Sequence, residues 1–156
     1  MSSEEPIRSA IQLVKDCAVR VYEELGSDWP EKVYQEALEV ELRQAAIEYE
    51  SQRILPVDYK GFIVGEGIPD LVIWVWVNDV RTAIIVDLKQ DSAIKESHEL
   101  QVRKYIEGLR RQLRTGEIVY DRGLVICFPK ASLRKINEDS VEWRTDVAFA
   151  DVDIGR

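Results

Sequence analysis

No apolar run in this chain of 156 residues approaches the roughly 18 needed to cross a bilayer. The opening Met1-Ser2-Ser3-Glu4-Glu5 is acidic, where a secretory leader would be basic and then apolar, so no leader is expected. Cysteine is scarce: Cys17 and Cys127 lie far apart in apolar surroundings. That usage fits neither a disulfide scaffold nor a metal knuckle, and a reducing, cytoplasmic setting is expected. Repeats, low-complexity tracts and Pro/Gly/Ser linkers are missing too, so one domain is expected over residues 1–156. Positive charge is in deficit, with 21 basic against 29 acidic residues and a net charge of −8. That balance argues against a chain that coats nucleic acid by bulk electrostatics. It does not exclude a nuclease, because a metal site needs carboxylates and basic residues can cluster. They do so at 103–114, where Arg103, Lys104, Arg110, Arg111 and Arg114 stand against Glu107, a local +4.

What is present reads as an α/β pattern. Ile7, Ala10, Ile11, Val14, Ala18, Val21 and Leu25 recur at three and four, the stripe of an amphipathic helix, with Gly26 as its C-cap. Pro30 reads as the first residue of a second helix, with Ser27 or Asp28 near the cap and a stripe of Tyr34, Ala37, Leu38, Leu42 and Ala45. Ile54–Tyr59 and Phe62–Gly65 around Lys60-Gly61 read as a hairpin. Leu71–Val77 and Thr82–Leu88 are apolar on both faces, which places them centrally in a sheet covered on two sides. A helix over 95–114, a buried strand over 122–128 and an edge strand over Val147–Val152 complete the chain. The order ααβββαβ predicts an α/β sandwich on a mixed central sheet flanked by helices.

Register arithmetic in the central hairpin brings carboxylates together. If Asn78-Asp79 forms a two-residue turn, Val77 faces Val80 and paired positions sum to 157. Asp70 then faces Asp87, with side chains about 5 Å apart. Lys89 shares the face of Asp87, at the end of an apolar wall of Val72, Trp74, Ala83 and Ile85. A four-residue loop would pair Asp70 with Lys89 instead, and a three-residue loop would break the arrangement. Two acids so placed repel unless neutralised, and a divalent cation does that: Mg²⁺ takes one or two carboxylates plus waters and phosphate oxygens. The same residues also read as a loop end and an ordinary ion pair.

On the helix over 95–114, His98, Gln101 and Tyr105 share a narrow stripe beside a core stripe of Val102, Ile106, Leu109 and Leu113. That stripe also reads as a plain polar shoulder. Arg103, Arg110 and Arg114 fall on the far flank, facing solvent, flanking backbone or a partner chain; a homodimer is compatible with this. Glu31 in the first turn of its helix offsets the macrodipole in any protein, and Tyr34 shares its face.

Together, Glu31-Lys-Val-Tyr34, Pro69-Asp70, Asp87-Leu-Lys89 and His98-x-x-Gln101-x-x-x-Tyr105 resemble the GxxExxY branch of the PD-(D/E)XK nuclease-like superfamily, from about Val19 to Phe128. The resemblance implies a restriction-endonuclease-like three-layer sandwich with a core over about 19–128 and a C-terminal extension over 129–156. It implies Asp70, Asp87 and Glu31 as ligands of Mg²⁺ or Mn²⁺. Lys89 would position the attacking water, Gln101 would help hold that water or the phosphate, and His98, Tyr105 and Tyr34 would contact substrate. One departure stands out: the family loop reads Gly-x-Gly-x-x-Glu, and here Gly26-Ser27-Asp28-Trp29-Pro30-Glu31 lacks the second glycine. The implied activity is metal-dependent hydrolysis of nucleic acid, with DNA the expected substrate. The rival expectations are a catalytically silent nucleic-acid or protein-binding module and a small-nucleotide function on the same fold.

Overall fold

The segments richest in branched apolar residues, Leu71–Val77 (β4), Val80–Asp91 (β5) and Arg122–Pro129 (β7), form the middle of one sheet. The computed structural model describes residues 4–91, 93–130, 142–144 and 147–154. The sheet has seven strands. Glu48–Ser51 (β1) pairs antiparallel with β4, and β4 antiparallel with β5. Both Glu117–Val119 (β6) and β7 run parallel to β5, at successive stretches of its length. Val147–Asp153 (β9) lies antiparallel to β7 and carries Glu142–Arg144 (β8) on its other side. The sheet is therefore mixed.

Helices cover both faces. Glu5–Leu25 (α1) and Glu31–Gln44 (α2) bury Ile7, Val14, Val21, Leu38 and Leu42 against Leu71, Ile73, Ile84, Val86, Leu88, Leu124 and Phe128. On the other face Glu96–Gln112 (α3) lays Val102, Ile106 and Leu109 on Val72, Trp74, Ala83, Ile85 and Val125. This is the three-layer sandwich. Leu55–Tyr59 (β2) and Phe62–Gly67 (β3) form a separate two-stranded sheet. Leaving out that hairpin and the short β6, the order α1 α2 β1 β4 β5 α3 β7 gives the expected ααβββαβ.

Val77 pairs with Val80 and Trp74 with Ala83. Asn78 and Asp79 both take positive φ, at 50° and 67°, as a two-residue turn requires. The three- and four-residue loops are excluded.

Three expectations need correction. Pro30 is the N-cap of α2 rather than its first residue, and no side chain caps the helix. Ser27 Oγ donates to Asp28 Oδ2 instead, 3.0 Å away. The strand at Val147–Asp153 is inside the sheet, not at its edge, because β8 pairs beside it. The polar Glu48–Ser51 and the three-residue β6 went unassigned because neither is long enough to show a period. A clamp marks both: Arg81 of β5 pairs with Glu48 of β1 and with Glu117 of β6, and its guanidinium lies 3.8 Å from the centre of the Trp74 ring. The expected extension over 129–156 falls partly outside the described residues. Among the described residues no helix is long and apolar enough to cross a membrane.

Candidate active site

The β4–β5 register carries one step beyond the paired strand, to Asp70 and Asp87. The Asp70 backbone N–H donates to Asp87 Oδ1 at 3.1 Å, and Asp70 Oδ2 accepts from the Leu88 backbone N–H at 2.8 Å. Both carboxylates lie at the α3 end of the apolar wall. Asp87 is only 2% exposed. Its Oδ2 is buried without a hydrogen-bond donor, although Lys89 Nζ stands 3.2 Å away. The ammonium is turned toward α3 instead, donating to Gln101 Oε1 at 2.9 Å. A buried carboxylate oxygen that receives no hydrogen bond is costly, and the ammonium beside it offsets the charge without donating to it.

Burial, and then the Asp87 charge beside it, push the Asp70 carboxyl up to about 7. Burial raises Glu31 as well, with Lys89 and the Gln90 backbone opposing. Desolvation and the Lys89 charge lower His98. Tyr105 is pushed up to about 12 by burial and by Asp87 and Asp70, so at neutral pH it presents a phenol and not a phenolate.

Sign and window follow for the metal-free protein. A carboxyl raised from about 3.8 to about 7 binds its proton more tightly when folded. Its stabilising effect is complete below pH 4 and is lost as pH rises through 7. Melting temperature in a chelator should therefore fall between pH 4 and 7 by more in the wild type than in Asp70→Asn. Comparing the two proteins cancels the opposite contribution of His98. Parallel curves for the two would show that Asp70 carries no such strain.

The sequence-marked residues divide by what the fold does with them. Asp70, Asp87, Lys89, Gln101 and Tyr105 come together between the end of β5 and α3. Glu31 arrives from the other layer, over the end of the sheet, and meets Lys89 and the Gln90 amide first. Its charge also acts on Asp70, and that of Asp87 acts on it. Among the described residues no group of three His, Cys, Asp or Glu side chains gathers where it could hold a metal. His98 spends Nδ1 on the Lys95 backbone N–H at 3.1 Å, closing the first turn of α3, and its Nε2 lies 3.7 Å from Asp91.

Tyr34 is a correction. It is 0% exposed, its ring stacks on Phe128 at 4.5 Å, and its hydroxyl donates to the Gly26 carbonyl at 2.6 Å while accepting from the Trp29 N–H. Substrate cannot reach it. It pins the loop that delivers Glu31. That loop also explains the missing glycine: Asp28, at its position, takes a φ of 72°, which Asp tolerates better than most side chains.

Three glutamines were missed. Gln35 Nε2 donates to the Asp70 carbonyl at 3.2 Å, and the Gln52 backbone N–H donates to the same oxygen. Gln52 Nε2 in turn donates to Gln35 Oε1, and the Gln90 side chain donates to the Trp29 carbonyl. Together they fasten Asp70 to α2 and the end of β5 to the α1–α2 loop. The signal was faint: Gln35 lies four residues after Glu31, on the same helix face.

The donor set is hard oxygen, with two carboxylates and one orphaned carboxylate oxygen. Mg²⁺ and Mn²⁺ fit it, since Mg²⁺ is content with one or two carboxylates and keeps several waters. A family model described as the PD-(D/E)XK nuclease superfamily matches residues 8–138. No curated protein and no solved structure matches the chain.

Proposed function

The chain belongs to the PD-(D/E)XK nuclease superfamily, whose members are generally metal-dependent nucleases, and on that footing we propose that it hydrolyses phosphodiester bonds of nucleic acid, DNA in the first place, as a member of the GxxExxY branch. One observation carries the reading. Two opposed carboxylates share a buried end of the sheet, one oxygen is left without a donor, and a lysine is held beside them by a glutamine.

In this reading Asp70 and Asp87 hold a Mg²⁺ or Mn²⁺ ion. When bound, the metal lowers the pKa of water and offsets charge on the phosphorane-like transition state. The protein's own groups do the rest. Lys89 orients the attacking water, and Gln101 fixes the ammonium by accepting from it. The amide N–H groups of Gln101 stay available for a phosphate oxygen. Tyr105, protonated at neutral pH, supplies a further donor. Glu31, buried near Lys89 and the Gln90 amide, tunes the lysine. No covalent intermediate is needed. The whole chain acts as one nuclease-like unit.

The test is direct. Labelled single- and double-stranded DNA and RNA are incubated with Mg²⁺, with Mn²⁺ and with chelator. Cleavage of DNA that needs the divalent ion is expected. Divalent-dependent binding without cleavage would replace the enzyme by a binding module on the same fold.

A further inference from the structure

The β2–β3 hairpin leaves the body of the protein and forms a groove with α3. Leu55 packs on Gly108, where an added Cβ would lie 3.6 Å from it, and Gly67 lies against Tyr105, where an added Cβ would come within 2.9 Å of the ring. The open groove has a volume of about 810 Å³. One wall is α3, with Gln101, Lys104, Tyr105, Glu107 and Arg111; the other is the hairpin, with Val57, Glu66 and Gly67. Gln101 lines the groove and accepts from Lys89, so one side chain joins the groove to the carboxylate end of β5.

Leu55 and Val57 line the groove, and past a register shift between Val57 and Asp58 the hairpin runs on to Tyr59 at its free end. Phe62 pairs with Tyr59 there. Val57, Tyr59 and Phe62 are 50%, 60% and 72% exposed. An isolated two-stranded hairpin that holds apolar and aromatic side chains in water has something to cover them. Lys60 at its turn lies 5.3 Å over the Tyr59 ring. Across the groove, Lys104 and Arg111 form no ion pair among the described residues. Gln101, Lys104 and Arg111 share one helix face at spacings of three and seven.

Exposed aromatic side chains at the free end of the hairpin, cations on the α3 wall that form no ion pair among the described residues, and Gln101 joining that wall to Lys89 make up a strand track. Bases stack on aromatic faces whatever their sequence, while cations follow the phosphates. We infer that this groove binds an unpaired strand of nucleic acid, bases against Tyr59 and Phe62 and phosphates against Lys104 and Arg111, and feeds it to Asp70 and Asp87. The inference takes its ligand class from the nuclease reading. A duplex would need its stacked bases exposed before the hairpin tip could meet them.

The experiment measures fluorescence anisotropy of a labelled 12-nucleotide oligothymidylate and of a blunt duplex, in Ca²⁺. The wild type is compared with Tyr59→Ala, Phe62→Ala and Lys104→Gln/Arg111→Gln. Unfolded variants are excluded by melting temperature, and wild-type cleavage in Mg²⁺ or Mn²⁺ is followed separately. The single strand should bind more tightly than the duplex. Each aromatic truncation should weaken the strand roughly tenfold. The cation pair should make the salt slope shallower by about 0.7 for each phosphate that is no longer neutralised. Strand affinity unchanged in all three variants, or no strand binding at all, overturns the groove even where cleavage proceeds. A wild-type dimer split by Phe62→Ser with strand affinity intact also overturns it, making the hairpin a contact between copies. Strand binding that depends on the hairpin without cleavage leaves the groove standing and sinks the nuclease.

Discussion

Asp87→Asn should abolish divalent-dependent cleavage and, in the same protein, raise the melting temperature measured without metal. The two effects have one source. Asp87 is buried with Oδ2 lacking a donor, and Asp70 is pushed up toward neutrality by burial and by the Asp87 charge. An amide at 87 removes the repulsion, and its oxygen can still accept from the Asp70 N–H, 3.1 Å from Oδ1 at present. The metal-free protein therefore gains stability while the cation loses its buried ligand. In the wild type, Mn²⁺ at a hundred times its dissociation constant should stabilise the fold by about 2.7 kcal/mol. For a chain of this size that is a rise of roughly 5–10 °C. Asp87→Asn should show almost none of it. Metal shifts of equal size in the two proteins would remove the site as described, whatever happened to cleavage.

Lys89→Met should lower cleavage by roughly two orders of magnitude or more, the range for losing a group that positions or activates a reactant. Methionine keeps most of the apolar stem, so the loss falls on the ammonium. Metal affinity should hold or rise, because the ammonium 3.2 Å from Asp87 Oδ2 competes with a cation for that oxygen. A merely structural ion pair predicts otherwise. It would leave Asp87 a buried charge without a counterion, lower the melting temperature by many degrees and leave any residual activity per folded molecule unchanged. Melting temperature with and without Mn²⁺, read beside kcat, separates the two. Gln101→Leu should share the defect in part, since the lysine would lose the acceptor that fixes it 2.9 Å away.

The strands and helices that position the site were legible because their periods were long enough to be counted. Seven apolar residues in a row at Leu71–Val77 can only be a covered strand, and Asn78-Asp79 fixes the turn, so the pairing of Asp70 with Asp87 followed from a sum. The amphipathic stripe of α3 likewise placed Val102, Ile106 and Leu109 in the core and set Gln101 and Tyr105 beside it. Arg103, Arg110 and Arg114 were rightly placed away from the carboxylates: Arg103 donates to the Asp153 carbonyl, and Arg110 is exposed. Lys104 and Arg111 stood out only as members of the basic cluster, since the position of the hairpin is what makes their side of the helix one wall of a groove.

What local pattern could not supply is which polar group meets which across the layers. Tyr34 carries the spacing of a substrate contact, yet its ring lies under the sheet because Phe128, nearly a hundred residues later, stacks on it. Glu31 carries the spacing of a ligand, and the loop pinned by Tyr34 and Gln90 brings it within reach of the charges of Lys89 and Asp87 together. Glu48–Ser51 and Glu117–Val119 become strands only because β4 and β5 offer edges and Arg81 reaches both. Sequence by itself determined the carboxylate pair, because a strand's period of two and a two-residue turn are local rules. Tertiary structure alone decided the orphaned oxygen, the lysine's partner and the groove, because burial and hydrogen-bond choice depend on groups that are distant along the chain and adjacent only once it has folded.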